Sequence, residues 1–383
     1  MNILNKGRHT MKLMMGLGSL SLFICFLILP LQLTAMIHLP KIFSDNMVVQ
    51  RNIDLKIWGW GAPGEAVSVK GSWHKKTYSA TVDAEGHWEL SCPSPAVGGP
   101  YGLDIQGQNR IVLHNLLCGE VWLCSGQSNM EMGLGLVNNA AEEIRNANYP
   151  QIRLFDVVKA GSDTSLADVA GTWRECTPET ISKGDWEGFS AVAYFFGRRI
   201  YSELNVPVGL IDASWGATKA EPWIAPQGYA RVPEVSDLYQ NRMEMEQSGV
   251  WGEPKRPSRI YNAMIFPIKT FPIRGVLWYQ GESNVGDGML YFSKMKALIE
   301  GWRQVWGQGD FPFYLVQVAP YKDYAEGELA QLWQAQRKCL ELPGTALAVT
   351  EDIGDWEDIH PKNKLDVGER LAKLALVNIY RKK

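Results

Sequence analysis

A serine and a histidine in this sequence stand in contexts suited to nucleophilic catalysis. Ser128 follows the apolar stretch 121–124 and a glycine and opens a predicted helix, so unpaired backbone N–H groups should lie nearby. Such groups stabilise the oxyanion that a nucleophile's attack creates. His360 follows three carboxylates in a predicted loop, where an acid can orient the ring and the ring can accept the serine proton. A capped turn at Ser128 and a solvated acidic loop at His360 are the plainer alternatives.

Two further segments place hydrogen-bond donors directly after apolar stretches. Gln280 follows the stretch 275–279, and its neutral amide can donate to an oxyanion without exchanging a proton. Gly216 follows the stretch 208–213 and can bring its N–H close to a ligand. Both segments are equally compatible with ordinary turns, because most glycines after strands only redirect the chain.

Composition excludes several classes of protein. The 383 residues are 46% hydrophobic and 21% charged, which is typical of a folded globular chain and not of a disordered or collagen-like one. Lys and Arg total 38 against 41 Asp and Glu, a formal net charge of -3, so we expect no nucleic-acid partner. Metal binding by the carboxylates near His360 is disfavoured, because no second histidine lies at a ligand spacing.

The elements that must position these groups change character near residue 115. From 36 to 115, short alternating stretches are separated by turn sequences such as Ala62-Pro63-Gly64-Glu65, which predicts a small β-sandwich accessory domain. From 116 to 383, apolar strands alternate with helical stretches, which predicts an α/β domain with a mostly parallel sheet covered on both faces. Ligands of such sheets bind where loops leave the carboxyl ends of the strands.

The first 35 residues differ from the rest of the chain. A basic start precedes an apolar stretch from 13 to 31 and a small-residue exit at Ala35, the pattern of a secretory signal peptide. An uncleaved membrane anchor is the alternative, because about 18 apolar residues can span a bilayer. Cleavage predicts a periplasmic or extracellular protein without stable membrane association.

Cleavage would also leave an odd number of cysteines, so at least one thiol would stay unpaired. One or two disulfides could form, the spacing does not define their pairing, and none of the spacings resembles a zinc site. The cysteines are Cys92, Cys118, Cys124, Cys176 and Cys339.

Four segments together resemble the SGNH hydrolase superfamily and, within it, the sialate O-acetylesterase family of carbohydrate esterases. They are CGEVWLCSGQSNMEM (118–132), VGLIDASWGATKAEPW (208–223), GVLWYQGESN (275–284) and DIHPKNK (358–364), in the family's order. The similarity extends from Leu39 to the last predicted helix. It implies a flavodoxin-like three-layer α/β/α core with an N-terminal β-sandwich module, and an enzyme that removes acetyl groups from sugar hydroxyls.

Carried onto this sequence, the resemblance makes Ser128 the nucleophile and His360 the general base. The backbone N–H groups of Ser128 and Gly216 and the side-chain amide of Gln280 become the oxyanion donors. Such a mechanism needs neither a metal nor an organic cofactor.

The acid that orients the histidine stays open. Asp358 belongs to the better-matching DIHP string, whereas Glu357 stands three residues before the histidine, which is the superfamily's usual spacing. A backbone carbonyl is a third way of holding the ring.

Candidates for substrate binding lie in or next to the same segments. Trp215 stands in a predicted loop, where its ring could stack on a sugar, and Asn129 and Glu282 flank the proposed catalytic groups. Trp122 and Trp278 lie in predicted strands, so we expect them in the core.

The resemblance therefore predicts a serine esterase acting through an acyl-enzyme, with 9-O-acetylated sialic acid as the expected substrate. Acetylated xylan or another acetylated polysaccharide is the alternative substrate, since it requires nearly the same chemistry. A non-catalytic carbohydrate-binding protein on an esterase scaffold is the alternative of another class, which the presence of both Ser128 and His360 disfavours.

Overall fold

The computed structural model describes residues 36–243 and 256–382. The predicted signal peptide, residues 1–35, lies outside the described residues. Within the described ranges, no helix has both the length and the apolar character needed to cross a bilayer.

The described residues form thirteen strands, β1 to β13: Val48–Gln50, Leu55–Trp60, Ala66–Gly71, Tyr78–Thr81, His87–Cys92, Gly98–Gln106, Arg110–Gly126, Tyr149–Asp156, Trp173–Cys176, Val208–Ser214, Gly275–Tyr279, Phe313–Val316 and Thr345–Ala348. The α-helices of the described part, α1 to α9, are Ser128–Glu131, Ala140–Asn146, Pro178–Ile181, Ala191–Leu204, Pro226–Arg231, Pro233–Gln240, Leu290–Trp306, Glu328–Lys338 and Lys364–Asn378. A π-helical turn spans Tyr261–Ile265.

Strand β7 connects the two regions that the sequence distinguishes. Its first part pairs antiparallel with β6, and its last seven residues pair in parallel with β10 on one side and, over the final five, with β11 on the other. Asn115 adopts a left-handed φ of 57° within the part that pairs with β6, before the pairing with β10 begins at Glu120. The domain boundary expected between residues 115 and 116 therefore falls inside one continuous strand.

The strands before residue 115 form antiparallel β structure, as their alternation predicts. β3 pairs antiparallel with β4 and β6, while β2 and β5 form a separate antiparallel pair. Buried and exposed positions alternate along β5, so one of its faces packs on the core and the other meets solvent. Short β1 adds to β7 in parallel.

The main sheet is mostly parallel. Its strands lie in the order β13-β12-β11-β7-β10-β8-β9, and β9 alone in this row runs antiparallel to its neighbour. β7 lies centrally, and Ser214 of β10 and Tyr279 of β11 both pair with Gly126 at its carboxyl end. The loops that leave these three strands must therefore start side by side.

Hydrophobic side chains cover both faces of this sheet. Leu210 and Leu277 belong to a core with α4 and α9, whereas their neighbours Ile211 and Trp278 belong to a core with α5 and α7. Burying one such side chain contributes roughly 1.5–3 kcal/mol, so the two cores stabilise the sheet that carries these loops. The mixed α/β fold with a mostly parallel sheet is confirmed. Trp122 and Trp278 are fully buried, as expected.

The cysteines are all buried free thiols, so the described residues contain no disulfide. Burial raises the pKa of every one of them, which keeps the thiols protonated and makes them apolar core residues.

Candidate active site

Ser128 stands on a tight turn between a central strand and a short helix. β7 ends at Gly126, whose φ of 140° and close approach to Tyr279 exclude a side chain: a Cβ would lie 2.1 Å from the Tyr279 carbonyl oxygen. Gln127 caps the helix in an extended conformation, and Ser128 is its first residue. The backbone N–H of Ser128 therefore has no acceptor within the helix.

His360 reaches this serine from a loop 232 residues further along the chain. The loop runs from β13 to α9, whose start is capped by Asn363, with its side-chain oxygen accepting from the Asp366 N–H at 3.2 Å. His360 Nε2 lies 2.9 Å from Ser128 Oγ. This is the hydrogen-bond distance at which a ring nitrogen can take a hydroxyl proton.

The two candidate acids occupy different environments. Asp358 Oδ1 accepts the backbone N–H of His360 at 2.9 Å and lies 3.8 Å from its Nδ1, which is an ionic contact but too long for a hydrogen bond. The Glu357 carboxylate forms an ion pair with Lys322 and is 69% exposed. The structure thus brings Asp358 to the histidine and leaves Glu357 at the surface.

The surroundings of His360 favour its neutral form. Burial lowers its pKa from the ordinary value, and the Lys364 ammonium lowers it further, against the opposing carboxylates of Asp358 and Glu131. A neutral imidazole is the form that accepts a proton.

Gly216 lies beside the nucleophile, but its N–H is engaged. A Cβ at this position would lie 3.4 Å from Ser128 Cβ, in van der Waals contact, and 3.0 Å from Glu131 Oε2, so a larger residue here would crowd the Glu131 carboxylate. The Gly216 N–H donates to Glu131 Oε2 at 2.5 Å, and Glu131 Oε1 accepts from Lys159 at 2.5 Å. Sequence reasoning missed Glu131, although it belongs to the same segment as Ser128.

Gln280 does not reach the pocket. It is fully buried, and its Nε2 is directed at three acceptors, Gln127 Oε1 at 3.1 Å, Thr218 O at 3.2 Å and Asn284 Oδ1 at 2.6 Å. An amide with both hydrogens engaged in this way braces the loops. The expected oxyanion role for Gln280 is not supported by this arrangement.

Gln127 lines the pocket instead. Its Oε1 accepts from the Gln280 amide and from the backbone N–H of Ser283 at 3.2 Å, which fixes the orientation of the side chain. Within the described structure its Nε2 has no hydrogen-bond partner. Nothing in the local sequence distinguishes the roles of the two glutamines.

Ser128 and His360 open into a cavity of about 450 Å³. Its aromatic wall is Trp186, whose ring meets that of His360 edge-on at a centroid distance of 4.9 Å. Trp215, the expected stacking residue, does not line this cavity and packs against the core. An aromatic residue between two glycines in the polar loop 184–188 was the signal for Trp186.

Of the two polar candidates for substrate binding, one lines the cavity and the other does not. Glu282 lines the cavity, and its Oε2 is buried without a partner in the described part of the chain. Asn129 is buried outside the cavity and donates to Glu282 Oε1 at 2.5 Å and to the Ile359 carbonyl at 2.9 Å. Asn129 therefore ties the segment carrying the serine to the loop carrying the histidine.

A buried lysine adds further hydrogen bonds between these two segments. Lys364 Nζ donates to Asn129 Oδ1 and to the Pro361 carbonyl, each at 2.6 Å. Burial lowers the pKa of Lys364 to about 7, and burial raises that of Glu282. Across the described ranges, no cluster of three or more His, Cys, Asp or Glu side chains is arranged to hold a metal ion.

Known proteins resemble this chain over most of its length. The sialate O-acetylesterases of Homo sapiens and Mus musculus are 32% and 33% identical to it, over 86% of this chain and 68% and 71% of theirs. The crystal structure of a carbohydrate acetylesterase from Xanthomonas citri superposes with a TM-score of 0.80 at 34% identity, covering 91% of this chain and 76% of that one.

The family described as carbohydrate esterase, sialic acid-specific acetylesterase matches residues 118–377. This range begins in β7, runs through the serine turn and the histidine loop, and ends in α9. The chain therefore belongs to the sialic acid-specific acetylesterase family of carbohydrate esterases and is a carboxylic ester hydrolase.

Proposed function

We propose that this protein removes O-acetyl groups from sugars through a serine acyl-enzyme, with Ser128 as nucleophile and His360 as general base. The observation that carries the proposal is the 2.9 Å distance between His360 Nε2 and Ser128 Oγ at the floor of an open cavity. A non-catalytic carbohydrate-binding protein would have no need of this pairing.

The reaction proceeds in two acyl transfers. His360 Nε2 takes the hydroxyl proton as Ser128 Oγ attacks the acetyl carbonyl carbon, and the resulting tetrahedral oxyanion collapses by breaking the bond to the sugar oxygen. The protonated ring gives its proton to that departing oxygen. Water, deprotonated by the same ring, then attacks the acetyl-serine. The second tetrahedral intermediate breaks the ester bond to Ser128 Oγ, which takes the proton back from the ring, and acetate leaves.

In this proposal three donors stabilise the oxyanion. They are the backbone N–H groups of Ser128 and Gly216 and, in place of Gln280, the Nε2 of Gln127, which lines the cavity and is held by its oxygen. Each such donor contributes about 2.7–4 kcal/mol to lowering the barrier. The Gly216 N–H becomes available when the acetyl oxygen displaces the Glu131 carboxylate.

Asp358 serves as the acid in this proposal. Its contact with the ring, 3.8 Å to Nδ1, is long, and its side chain is 46% exposed. Its main effect is therefore to hold the backbone at His360 by accepting its N–H. It also stabilises the imidazolium, but less than a carboxylate hydrogen-bonded to the ring would.

Two substrates remain candidates. The names of the mammalian relatives favour O-acetylated sialic acid. A neutral acetylated polysaccharide such as acetylated xylan is favoured by the cavity itself, because no Lys or Arg is among the described residues that line it. A sialate carboxylate would therefore find no Lys or Arg partner among the described residues of this lining.

The finer architecture belongs to the same proposal. We take residues 36–115 as a β-sandwich module beside a three-layer α/β/α catalytic domain of the SGNH type, residues 116–383. We also take the protein to be exported to the periplasm or outside the cell after cleavage of residues 1–35.

Acetate release from p-nitrophenyl acetate tests the catalytic serine. Wild-type protein should hydrolyse it, and Ser128→Ala should lose at least about a thousandfold in kcat. The matched control is Ser202→Ala, which removes a hydroxyl on the exposed side of α4 and should retain wild-type rates. Equal activity of Ser128→Ala and wild type would refute the mechanism.

A second assay separates the substrates. Acetate release from 9-O-acetylated sialic acid and from acetylated xylan is compared at equal acetyl concentration. A higher kcat/KM for the sialate supports O-acetylated sialic acid as the substrate, and a higher value for xylan supports a neutral acetylated polysaccharide. Neither result alters the assignment of the nucleophile.

A further inference from the structure

A second cavity adjoins the one that contains Ser128. It measures about 560 Å³ and lies at the carboxyl ends of β8 and β10. Glu131 lines both cavities, and the loop 184–188 contributes Trp186 to the first and Asp185 to the second. The remaining lining residues that carry the argument are Asp156, Lys159, Thr172, Arg174, Asp212 and Ser214.

The floor of this cavity holds a buried carboxyl group with spare hydrogen-bonding capacity. Asp212 is 8% exposed, and one of its oxygens accepts from Ser214 Oγ at 2.6 Å. Its other oxygen has no partner in the described part of the chain. Burial raises the pKa of Asp212 well above its usual range and that of Asp156 to about 6. A protonated carboxyl group can both donate and accept hydrogen bonds, so it can bind a hydroxyl group, which does the same.

The cations of the cavity are already paired. Lys159 contacts Glu131 at 2.5 Å and Asp185 at 3.2 Å, and Arg174 forms an ion pair with Asp156. Four carboxyl groups therefore face two cations, and an anionic ligand would have to break an existing pair to bind. A neutral ligand rich in hydroxyl groups can bind without breaking these ion pairs. Its hydroxyl groups would donate to the remaining carboxylate lone pairs and accept from the remaining N–H groups of the cations.

We infer that this second cavity is a subsite for a neutral sugar unit of the substrate, adjacent to the unit whose acetyl group enters the Ser128 cavity. The volume is sufficient for a pentose or hexose ring with some water, and Glu131 and the 184–188 loop form the border between the two units. The inference rests on the proposed function and adds to it the class of sugar and the place where it binds.

Two variants test the subsite by different means. Asp212→Ala removes the carboxyl group that has an unpaired oxygen. Thr172→Trp places a large side chain in the cavity from an exposed position that belongs to none of its ion pairs. Lys373→Trp is the control, because it is an exposed lining residue of a different charged cavity that shares no residue with the Ser128 cavity. Thermal denaturation establishes that each variant is folded.

The readout is KM for partially acetylated xylo-oligosaccharides, set against kcat/KM for p-nitrophenyl acetate, which has no sugar. Both cavity variants should raise KM for the oligosaccharide at least about fivefold and change p-nitrophenyl acetate hydrolysis less than about twofold. Lys373→Trp should change neither quantity.

Three results would overturn the inference. They are an unchanged oligosaccharide KM in folded Asp212→Ala and Thr172→Trp, an equal loss on both substrates, and a KM effect confined to 9-O-acetylated sialic acid. Failure of the proposed function looks different, because wild type would then release no acetate from p-nitrophenyl acetate, or Ser128→Ala would remain active.

Discussion

The carboxylate of Glu131 hydrogen-bonds the backbone N–H of Gly216, with 2.5 Å between oxygen and nitrogen. In the proposed mechanism a negatively charged acceptor thus occupies one of the oxyanion donors. Lys159 contacts the other carboxylate oxygen at 2.5 Å and, under the same proposal, remains a partner of Glu131 when the acetyl group enters. The charge of the same carboxylate favours protonated His360, so it partly opposes the lowering of the His360 pKa by burial and by Lys364.

The pH dependence of kcat/KM should report the charges around His360. The rate should fall as pH drops through the pKa of His360, which lies below its ordinary 6.5, because only the neutral ring accepts a proton. Glu131→Gln removes a charge that favours the imidazolium, so this limb should move to lower pH. Lys364→Met removes a charge that opposes it, so the limb should move to higher pH. Shifts of both variants in one direction would contradict this assignment of charges, and Lys373→Met serves as the control.

The two candidate acids should respond differently to neutralisation. Asp358→Asn should lower kcat roughly tenfold, less than in a triad whose acid is buried and hydrogen-bonded to the ring. Glu357→Gln should leave kcat within about twofold, because its carboxylate is exposed and pairs with Lys322. Steady-state kinetics on p-nitrophenyl acetate measures both, and a larger loss in Glu357→Gln would reverse the assignment.

Replacing each of two glutamines with glutamate should affect a different property, activity for Gln127 and folding stability for Gln280. Gln127→Glu keeps the oxygen that accepts from the Ser283 N–H and replaces the free amide, so kcat should fall about 100-fold or more with little loss of stability. Gln280→Glu turns a carboxyl group toward three buried acceptors and should destabilise the fold by about 2 kcal/mol or more. Denaturant titration and kinetics on both variants decide the matter. A stable but inactive Gln280→Glu would restore Gln280 as the oxyanion donor.

Trp186 should act in sugar binding. It is 37% exposed, lines the Ser128 cavity and contacts the His360 ring with its edge. Trp186→Ala should raise KM for acetylated sugars roughly tenfold, and Trp186→Phe should recover part of that loss. The comparison variant is Trp215→Phe, outside the cavity, which should leave KM unchanged. Equal KM values for wild type and Trp186→Ala would exclude Trp186 from sugar binding.

A buried carboxylate at the start of the parallel part of β7 should matter for stability. The fully buried Glu120 side chain binds Arg51, Arg274 Nε at 2.6 Å and the Tyr380 hydroxyl at 2.8 Å. Glu120→Gln should lower the free energy of unfolding by about 3 kcal/mol, because two partly buried guanidinium groups lose their counter-charge. Glu179→Gln, which breaks the exposed pair with Lys183, should cost less than about 1 kcal/mol. Similar losses in urea denaturation would contradict this reasoning.

The sequence by itself determined the class of fold and the family. Alternating apolar strands and helical stretches after residue 115 specify a covered parallel sheet, because periodicity is a local property of the chain. The segments around Ser128, Gly216, Gln280 and His360 carried the family resemblance for the same reason, since a motif can be read without knowing what lies beside it. Their catalytic roles remain predictions.

The tertiary structure decided what depends on neighbours distant in sequence. Gln127 and Gln280 are chemically identical, and only the packing of the loop after β11 against the turn after β7 directs one amide to the cavity and the other to buried acceptors. The partners of Glu131, which are Gly216 and Lys159, come from distant segments of the chain. Trp186 lines the Ser128 cavity and Trp215 does not, because of where their loops lie. Hydrogen-bond partners are set by distances across the fold, and residue order alone does not contain those distances.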